Sequence, residues 1–307
     1  MTVERALLDV VEKPWGSVDL RPWSDIRHGD APIGEIWFRR EHSARESPKL
    51  LLKLLFTSQP LSIQVHPGDR YARTIGQANG KTEAWYILDA APDARVAVGL
   101  KRRVTKAELR AAIENGAIVD LVSWRAVARG DVVFIPAGTI HAIGAGLVIV
   151  EIQQRSDATF RIFDFDRHRE LDVESALAVA FARPAGRQTG EKRVTPQRTL
   201  LVDCPQFALE SLELPALSKV ALPGGPGTWL FVREGEGQIG DLSASPFEAL
   251  YLDSNAVDVT AGAGGLKLLV ARPGPEQVAG LVAGPAGQWR DPAKGSVVSA
   301  IEAARQQ

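Results

Sequence analysis

Four side chains of the types that bind metal ions stand out in this sequence: Gln64, His66, Glu83 and His141. Gln64 and His66 are separated by one residue, and alternate residues of a β-strand project from the same face. These two side chains are therefore predicted to enter one cavity. Two imidazoles, a carboxylate and an amide oxygen suit Zn²⁺ better than Fe²⁺ or Mn²⁺, and such a set leaves coordination positions open for a substrate.

Arg161 follows these residues in the run Ser-Asp-Ala-Thr-Phe-Arg. A guanidinium group keeps its proton at any physiological pH, so it suits the stabilisation of a negatively charged intermediate. The same side chain could instead form an ion pair with Asp157, Asp164 or Asp166, and the two roles can coexist.

Bulk composition excludes several classes of protein. The chain has 307 residues, which is enough for two domains, and a formal net charge of −1. This balance indicates neither a nucleic-acid surface nor a polybasic membrane patch, and no apolar run approaches the roughly 20 residues that span a bilayer. Cys204 is the single cysteine, so a reducing compartment is expected. The N-terminal sequence lacks the features of a signal peptide. Together, these observations predict a cytoplasmic protein without membrane or nucleic-acid partners. They do not predict an oligomeric state.

Short β-runs bounded by Gly, Pro or Asp dominate the N-terminal half, as is typical of a sandwich or barrel. The predicted strands there are 34–39, 50–55, 61–66, 83–88, 131–135 and 147–153. Two helices are predicted in an insertion at about 105–125, the first beginning after Thr105 as N-cap and the second covering 118–124. A further helix is predicted over 173–181, after Asp172 as cap.

A polar stretch at about 183–197 is typical of a linker. Beyond it the predicted strands are 207–212, 228–233, 237–239, 249–252 and 266–270, and a short helix is expected at 297–304. The part of the chain after residue 183 contains no His, so a repeat of the first unit there would lack a metal site. The sequence thus predicts an all-β protein with a metal-binding, catalytic domain over 1–183 that carries the helical insertion. A second, metal-free domain and a C-terminal tail are predicted over 184–307.

The segment from Gly130 to His141 reads Gly, five residues, Pro, one residue, Gly, two residues, His. Pro136 ends the preceding strand because it has no N–H to donate, and Gly138 permits a turn that returns His141 on the next strand. This spacing resembles the second motif of the cupins, a jelly-roll family. The cupin pattern alone specifies a fold and a metal but no reaction.

Five segments in order resemble the type I mannose-6-phosphate isomerases, especially their short bacterial form. They are Glu-Lys-Pro-Trp-Gly at 12–16, Gln-Pro-Leu-Ser-Ile-Gln-Val-His-Pro at 59–67, Gly-Lys-Thr-Glu-Ala-Trp-Tyr at 80–86, Val-Phe-Ile-Pro-Ala-Gly-Thr-Ile-His-Ala-Ile-Gly at 133–144 and Glu-Ile-Gln-Gln-Arg-Ser-Asp-Ala-Thr-Phe-Arg at 151–161. The resemblance spans about residues 12–169. The later part of the chain resembles the family only as a second cupin-like unit.

The resemblance implies one Zn²⁺ per chain, held by the four ligand-type residues named above. It implies a catalytic role for Arg161, a place in the site for Lys81, and a role as base for Glu151. A water molecule in the site could serve as the base instead, and Glu151 could be a structural partner of a Lys or Arg.

The resemblance also matches Lys53 and Ser62 to positions near the phosphate end of the substrate. Lys53 follows three leucines on a strand-like run, so it could equally face solvent.

The reaction that the resemblance implies is the interconversion of D-mannose 6-phosphate and D-fructose 6-phosphate through an enediol. Two other hypotheses stay open at this point. A non-catalytic cupin would bind a sugar without turning it over. An Fe²⁺ oxygenase would use two His and one carboxylate, but Gln64 and Arg161 fit that class poorly.

Overall fold

The computed structural model describes residues 3–26, 29–41, 48–186, 188, 190–225, 227–253, 256–274, 288–290 and 297–299. Within these residues the chain forms 22 strands and four helices, so the all-β prediction is confirmed. None of the helices in the described part is long and apolar enough to cross a membrane.

The strands of the first half, in chain order, are β1 (Val3–Arg5), β2 (Leu7–Ser17), β3 (Ile33–Arg39), β4 (Leu50–Thr57), β5 (Ile63–Val65), β6 (Glu83–Ala90), β7 (Arg95–Leu100), β8 (Val122–Ala126), β9 (Val132–Ile135), β10 (His141–Ile143), β11 (Leu147–Gln154) and β12 (Phe160–Phe163). Those of the second half are β13 (Lys192–Thr195), β14 (Arg198–Asp203), β15 (Phe207–Leu214), β16 (Lys219–Pro223), β17 (Thr228–Ile239), β18 (Leu242–Ala244), β19 (Ala249–Leu252), β20 (Ala256–Pro273), β21 (Gln288–Arg290) and β22 (Val297–Ser299). The helices are α1 (Asp69–Thr74), α2 (Lys106–Glu114), α3 (Ile118–Leu121) and α4 (Val173–Val179).

The chain divides into two compact units. The N-terminal unit consists of Leu8–Phe38 and Leu50–Thr189, and the C-terminal unit of Met1–Leu7, Arg39–Lys49 and Gly190–Gln307. The predicted division at residue 183 differs from these units in two ways. The N-terminal unit extends to Thr189, and two short segments from the start of the chain belong to the C-terminal unit.

Two antiparallel sheets build the N-terminal unit. The six-stranded sheet has the order β2-β3-β4-β11-β6-β9 and the five-stranded sheet the order β12-β5-β10-β7-β8. One apolar core lies between them, with Trp85, Ile87 and Ile149 from the first sheet and Val96 and Ile143 from the second. A second core joins the other face of the five-stranded sheet to the helices. Because both faces of the five-stranded sheet are covered, the polar side chains between the sheets are shielded from water.

The C-terminal unit is built on a nine-stranded antiparallel sheet. Its main path runs β1-β19-β17-β20-β15-β14-β13, and β16 and β18 pair with β20 and β17. Alternate residues of the strands form one apolar core, including Leu212, Leu230, Leu250 and Val270. Strand alternation therefore gives this sheet one face that points into the core.

The helical insertion tests the local predictions. Thr105 caps α2 in a capping box with Glu108, as predicted. The prediction of a helix over 118–124 is wrong after Leu121, because Val122 is extended and begins β8, which pairs with β7. Val and Trp at 122 and 124 favour a strand over a helix.

Other local predictions have similarly mixed outcomes. The helix expected after Asp172 is confirmed as α4, with the Asp172 side chain accepting a hydrogen bond from the N–H of Ser175. Each predicted strand overlaps an observed one, although 228–233 and 237–239 are parts of the single strand β17. The helix expected at 297–304 is wrong at Val297–Ser299, which pairs with Gln288–Arg290; residues 300–304 lie outside the described residues.

Candidate metal centre

Three strands bring the predicted ligands together between the two sheets. Glu83 begins β6 of the six-stranded sheet, and His141 begins β10 of the five-stranded sheet. Gln64 lies on β5 directly opposite His141 in the antiparallel register, so their side chains share one face. His66 follows the end of β5, and the N–H of Gly138 donates a hydrogen bond to its carbonyl. Gly138 makes the turn before His141 with a φ of +85°, where a side chain would also collide with Phe181.

His66, Glu83 and His141 form a compact, buried cluster. Their ligand-type atoms all lie within 4.8 Å of one another. The Nε2 atoms of His66 and His141 are each 3.4 Å from a different oxygen of the Glu83 carboxylate. All three side chains are at most 1% exposed. The carboxylate thus has one imidazole nitrogen on each side, a geometry suited to a shared cation.

The hydrogen bonds of this cluster leave three of its inward atoms without partners among the described residues. His66 Nδ1 lies 2.9 Å from the carbonyl of Ala158, and His141 Nδ1 lies 2.9 Å from that of Thr139. Each Nδ1–H is therefore the donor, so each Nε2 carries a lone pair. His66 Nε2 and both Glu83 oxygens are buried with no hydrogen-bond partner among the described residues. Buried acceptors without donors are costly, and a divalent cation would satisfy them together.

The protonation states of the cluster suit a metal. Burial, followed by the charge of Lys81, lowers the pKa of His66 to about 3. Burial likewise lowers the pKa of His141. Burial acts to raise the pKa of Glu83, but Lys81 and His66 outweigh it and hold that pKa well below its ordinary value. The site thus holds neutral imidazoles and an ionised carboxylate at neutral pH, which are the forms that bind metal ions.

Gln64 completes the predicted ligand set from the neighbouring strand. Its Nε2 lies 3.3 Å from His141 Nε2, and its Oε1 accepts a hydrogen bond of 3.0 Å from the Ser62 hydroxyl. A half-turn of the amide would exchange these atoms, because Ser62 can also accept a hydrogen bond. In that orientation the amide oxygen would face the imidazoles. Ser62 is thus in contact with a predicted ligand.

Lys81 and Glu151 lie beside the cluster. Lys81 Nζ is 3.4 Å from Glu83 Oε2, and Trp85 Nε1 donates a hydrogen bond of 3.1 Å to Glu151 Oε2. Burial acts to lower the pKa of Lys81, but Glu83 and Glu151 hold it above its ordinary value. Burial and the charge of Glu83 raise the pKa of Glu151 to about 7, against Lys81 and Lys53. Glu151 can therefore gain or lose a proton near neutral pH.

Lys53 is buried, so the alternative that it faces solvent is wrong. Its side chain is 2% exposed, and Nζ lies 3.6 Å from carboxylate oxygens of Glu35, Glu151 and Asp157. The ammonium also lies over the ring of Trp37, 4.1 Å from its centroid. These partners hold the ammonium in place beside Glu151, and the assignment of Lys53 to the substrate's phosphate stays a prediction.

Arg161 is on a strand that pairs with the strand of Gln64, and its side chain contacts the segment that follows β12. It lies on β12 directly opposite Gln64. Its Nη1 donates a hydrogen bond of 2.9 Å to the carbonyl of Glu170, and its Nε is 3.8 Å from Asp164 Oδ1. The predicted ion pair with Asp164 therefore exists, and the side chain is still 22% exposed.

Sequence reasoning missed two functional candidates. Glu35 ion-pairs with Lys53 and, at 3.5 Å, with Lys13; burial acts to raise its pKa, but Lys53 and Lys13 lower it. Glu35 and Trp37 alternate on β3, and that period-2 signal could have identified an inward-facing pair. Asp164 was considered only as a partner of Arg161, whereas three arginines surround it.

The fold and the centre together define a double cupin with a buried His–Glu–His cluster of metal-binding type. No family model matches the chain. Mannose-6-phosphate isomerase ManA of Bacillus subtilis is 34% identical over 221 residues, which are 67% of this chain and 70% of that protein. Mannose-6-phosphate isomerase of Streptococcus mutans is 34% identical over 198 residues, which are 62% of each chain. The chain belongs to the mannose-6-phosphate isomerase family.

Solved structures are similar in fold over a larger part of the chain. The mannose 6-phosphate isomerase from Bacillus subtilis superimposes with a TM-score of 0.77 at 23% identity, covering 89% of this chain and 100% of that one. A putative mannosephosphate isomerase from Archaeoglobus fulgidus gives a TM-score of 0.68 at 18% identity, covering 89% and 98%. The predicted cupin fold is confirmed.

Proposed function

We propose that this protein is a metal-dependent aldose–ketose isomerase that interconverts D-mannose 6-phosphate and D-fructose 6-phosphate. The observation that carries the proposal is the buried cluster of His66, Glu83 and His141, whose inward acceptors lack donors, in a chain of this family. The cation is proposed to be Zn²⁺, one per chain, because imidazole nitrogens with a carboxylate and an amide oxygen suit it. Gln64 is proposed as the fourth ligand.

The cation, when bound, would polarise the sugar's carbonyl group and stabilise negative charge on its oxygen. The rest of the chemistry falls to side chains. Glu151 is proposed to take the proton from C2 of mannose 6-phosphate and return it to C1, while a second proton passes from O2 to O1. A carboxylate with a pKa of about 7 suits both halves of this transfer.

Arg161 is proposed to stabilise the enediolate through its fixed positive charge. Lys81 keeps Glu83 ionised through their contact of 3.4 Å, so the centre retains its negative ligand. Lys53 and Ser62 were predicted for the phosphate end, and for both that role stays a prediction. A sugar phosphate is the proposed partner, and a cytoplasmic location stays a prediction from the single cysteine.

The direct test is a coupled isomerase assay on the purified protein with mannose 6-phosphate as substrate. Appearance of fructose 6-phosphate is expected. Arg161→Ala should lower kcat about a hundredfold or more at unchanged metal content. Arg125→Ala, an exposed residue of β8 at the opposite edge of the same sheet, is the matched control. Binding of the sugar phosphate without any turnover would contradict the proposal and would identify the protein as a non-catalytic cupin.

A further inference from the structure

The loop between two of the proposed metal ligands closes on itself. It runs from Pro67 to Thr82, so His66 directly precedes it and Glu83 directly follows it. The N–H of Lys81 donates a hydrogen bond of 2.9 Å to the carbonyl of Pro67, which brings the two ends of the loop together. The positions of His66 and Glu83 relative to each other therefore depend on how this closure is held.

Asp69 bridges the two ends of the loop with its side chain. Its Oδ1 accepts a hydrogen bond of 2.7 Å from the N–H of Gly80 and one of 2.9 Å from the side-chain amide of Gln154, at the end of β11. A side chain at position 80 would place its Cβ 2.6 Å from the N atom of Asp69 and from the carbonyl oxygen of Pro67. Glycine allows this close approach of the two backbones, and the carboxylate of Asp69 then reaches both donors.

Gln154 joins the loop to the six-stranded sheet. Its Oε1 accepts a hydrogen bond of 2.9 Å from the N–H of Thr82, and its own backbone N–H donates one of 3.1 Å to the carbonyl of Thr82. The Thr82 hydroxyl accepts a hydrogen bond of 3.2 Å from the N–H of Ala137, in the turn before His141. The side chains of Gln154 and Thr82 are buried, so these bonds are shielded from water. One chain of hydrogen bonds thus connects the segments that carry all three ligands of the cluster.

A role of Asp69 in its own helix would make different demands from a role in this closure. Asp69 is the first residue of α1, where an acidic side chain interacts favourably with the end of a helix through its charge. Both hydrogen bonds to its Oδ1, however, come from residues outside α1. The closure therefore requires an acceptor atom at this place, whereas the helix requires a negative charge.

We propose that Asp69 and Gln154 are positioning residues that raise the metal affinity of the centre by holding the segment of Lys81 and Glu83 in place. The inference rests on the proposed function for the presence of a metal ion. Glu83 directly follows Thr82, so the hydrogen bonds of Thr82 fix the start of β6 and with it the place of the Glu83 carboxylate. Residues that orient a ligand contribute to metal affinity although they do not contact the ion.

The first test measures the Zn²⁺ affinity of full-length variants by competition with a chelator of known affinity. Asp69→Ala removes the acceptor of both hydrogen bonds and is expected to weaken Zn²⁺ binding about 10–100-fold. Asp69→Asn keeps Oδ1 as an acceptor for both donors, so its Zn²⁺ affinity should remain close to that of the wild type. Asp93→Ala, at an exposed position between β6 and β7, is the matched control and should bind Zn²⁺ as the wild type does.

Gln154→Glu provides the sharper test, because it separates position from charge. It adds a negative charge near the centre, so attraction alone would tighten Zn²⁺ binding. Positioning predicts weaker binding, because the new carboxylate cannot donate to Asp69 and repels it. In the double variant Asp69→Asn with Gln154→Glu, the new amide can donate to the new carboxylate while its oxygen still accepts from Gly80. Zn²⁺ affinity should then recover. Gln77→Glu adds the same charge at an exposed position of the same loop and should leave the affinity unchanged.

Urea denaturation of the metal-free variants separates positioning from general stability. A purely structural role would lower the free energy of unfolding and leave the Zn²⁺ affinity of the folded protein unchanged. Circular dichroism verifies that each variant is folded. If Asp69→Ala does not fold, Gln154→Glu and the double variant decide the matter.

The outcomes also separate this inference from the function on which it rests. Wild-type Zn²⁺ affinity in Asp69→Ala and Gln154→Glu would overturn the positioning role even if the protein isomerises mannose 6-phosphate. Equal losses in Asp69→Asn and Asp69→Ala, or no recovery in the double variant, would overturn it as well. The expected pattern of Zn²⁺ affinities in a protein without isomerase activity would uphold the positioning role and refute the proposed substrate.

Discussion

Two buried glutamates, one in each unit, have opposite surroundings. Glu83 of the N-terminal unit is 1% exposed, and neither of its oxygens has a hydrogen-bond donor among the described residues. Glu210 of the C-terminal unit is 4% exposed and accepts from Arg198 through both oxygens and from Arg272 at 2.8 Å. Glu210 shares the core-facing side of β15 with Leu212. Each unit thus buries a carboxylate, but among the described residues only the C-terminal unit supplies hydrogen-bond donors for it.

The difference indicates how each carboxylate is neutralised. Burial acts to raise the pKa of Glu210, but Arg198 and Arg272 outweigh it and lower that pKa. In the C-terminal unit, the negative charge of Glu210 is therefore neutralised by guanidinium groups of the protein itself. Glu83 has Lys81 at 3.4 Å and two neutral imidazoles. The proposed cation would satisfy the remaining acceptors of Glu83, and it would give this centre a Lewis acid that the Arg–Glu–Arg cluster lacks.

The largest effect is expected from Glu83→Gln. Loss of the carboxylate removes the one anionic ligand, so the variant should purify with little metal and lose at least about a hundredfold in kcat/KM. Metal analysis and the isomerase assay on the same sample measure both. Glu114→Gln, on the exposed part of α2, should keep wild-type metal and activity. Stoichiometric metal in Glu83→Gln would contradict the proposed ligand set.

Glu210→Gln should act on stability instead. It leaves Arg198 and Arg272 buried without their counter-charge, and breaking a buried ion cluster in this way costs about 3–5 kcal/mol. Urea denaturation of the metal-loaded protein measures the loss, while metal per folded chain should equal that of the wild type.

The triple replacement Arg198→Met, Glu210→Leu and Arg272→Met is the control for that comparison. Apolar side chains in place of the whole cluster remove every buried charge, and such exchanges are often neutral or stabilising. If the triple variant is as unstable as Glu210→Gln, the loss of stability is caused by altered packing rather than by unpaired charge.

A smaller effect is expected from Ser62→Ala. The Ser62 hydroxyl orients the Gln64 amide, and the loss of such a partner typically lowers metal affinity about 10–100-fold. Competition with a chelator of known affinity measures the change. Ser243→Ala, at an exposed position of the C-terminal unit, should keep wild-type affinity. Equal metal affinities in the two variants would show that Ser62 does not support the metal centre.

The smallest effect is expected in the pH dependence of stability. The ordinary pKa of a Glu is 4.5, and that of Glu210 is lower in the folded state. Between these two values the unfolded state binds more protons, so stability from the ionised Glu210 is complete above pH 4.5 and is lost as pH falls through the folded pKa. The stability difference between wild type and Glu210→Gln should therefore narrow below about pH 4.5. Urea midpoints at pH 7 and pH 3.5 check this; a constant difference would contradict it.

Much of the N-terminal unit could be predicted because its signals are local. Short β-runs bounded by Gly, Pro or Asp identified β4, β6 and β11, and the capping box of Thr105 identified α2. The convergence of Gln64 and His66 follows from the strand period alone. Turn chemistry around Gly138 correctly returned His141 to the interior.

Features that depend on contacts between distant strands could not be predicted. Nothing local links Lys53 to Glu35, or Glu210 to Arg272, because each pair meets only when strands come into register. Short or irregular strands such as β10 and β12 carry too few residues for a clear alternation.

The central claim is that the cluster of His66, Glu83 and His141 holds one divalent cation on which isomerisation depends. Titration of metal-free protein with Zn²⁺, with turnover of mannose 6-phosphate measured at each step, tests it most directly. Activity should rise in proportion to bound metal and saturate at one equivalent per chain. Full turnover in protein verified to be free of metal would contradict the account.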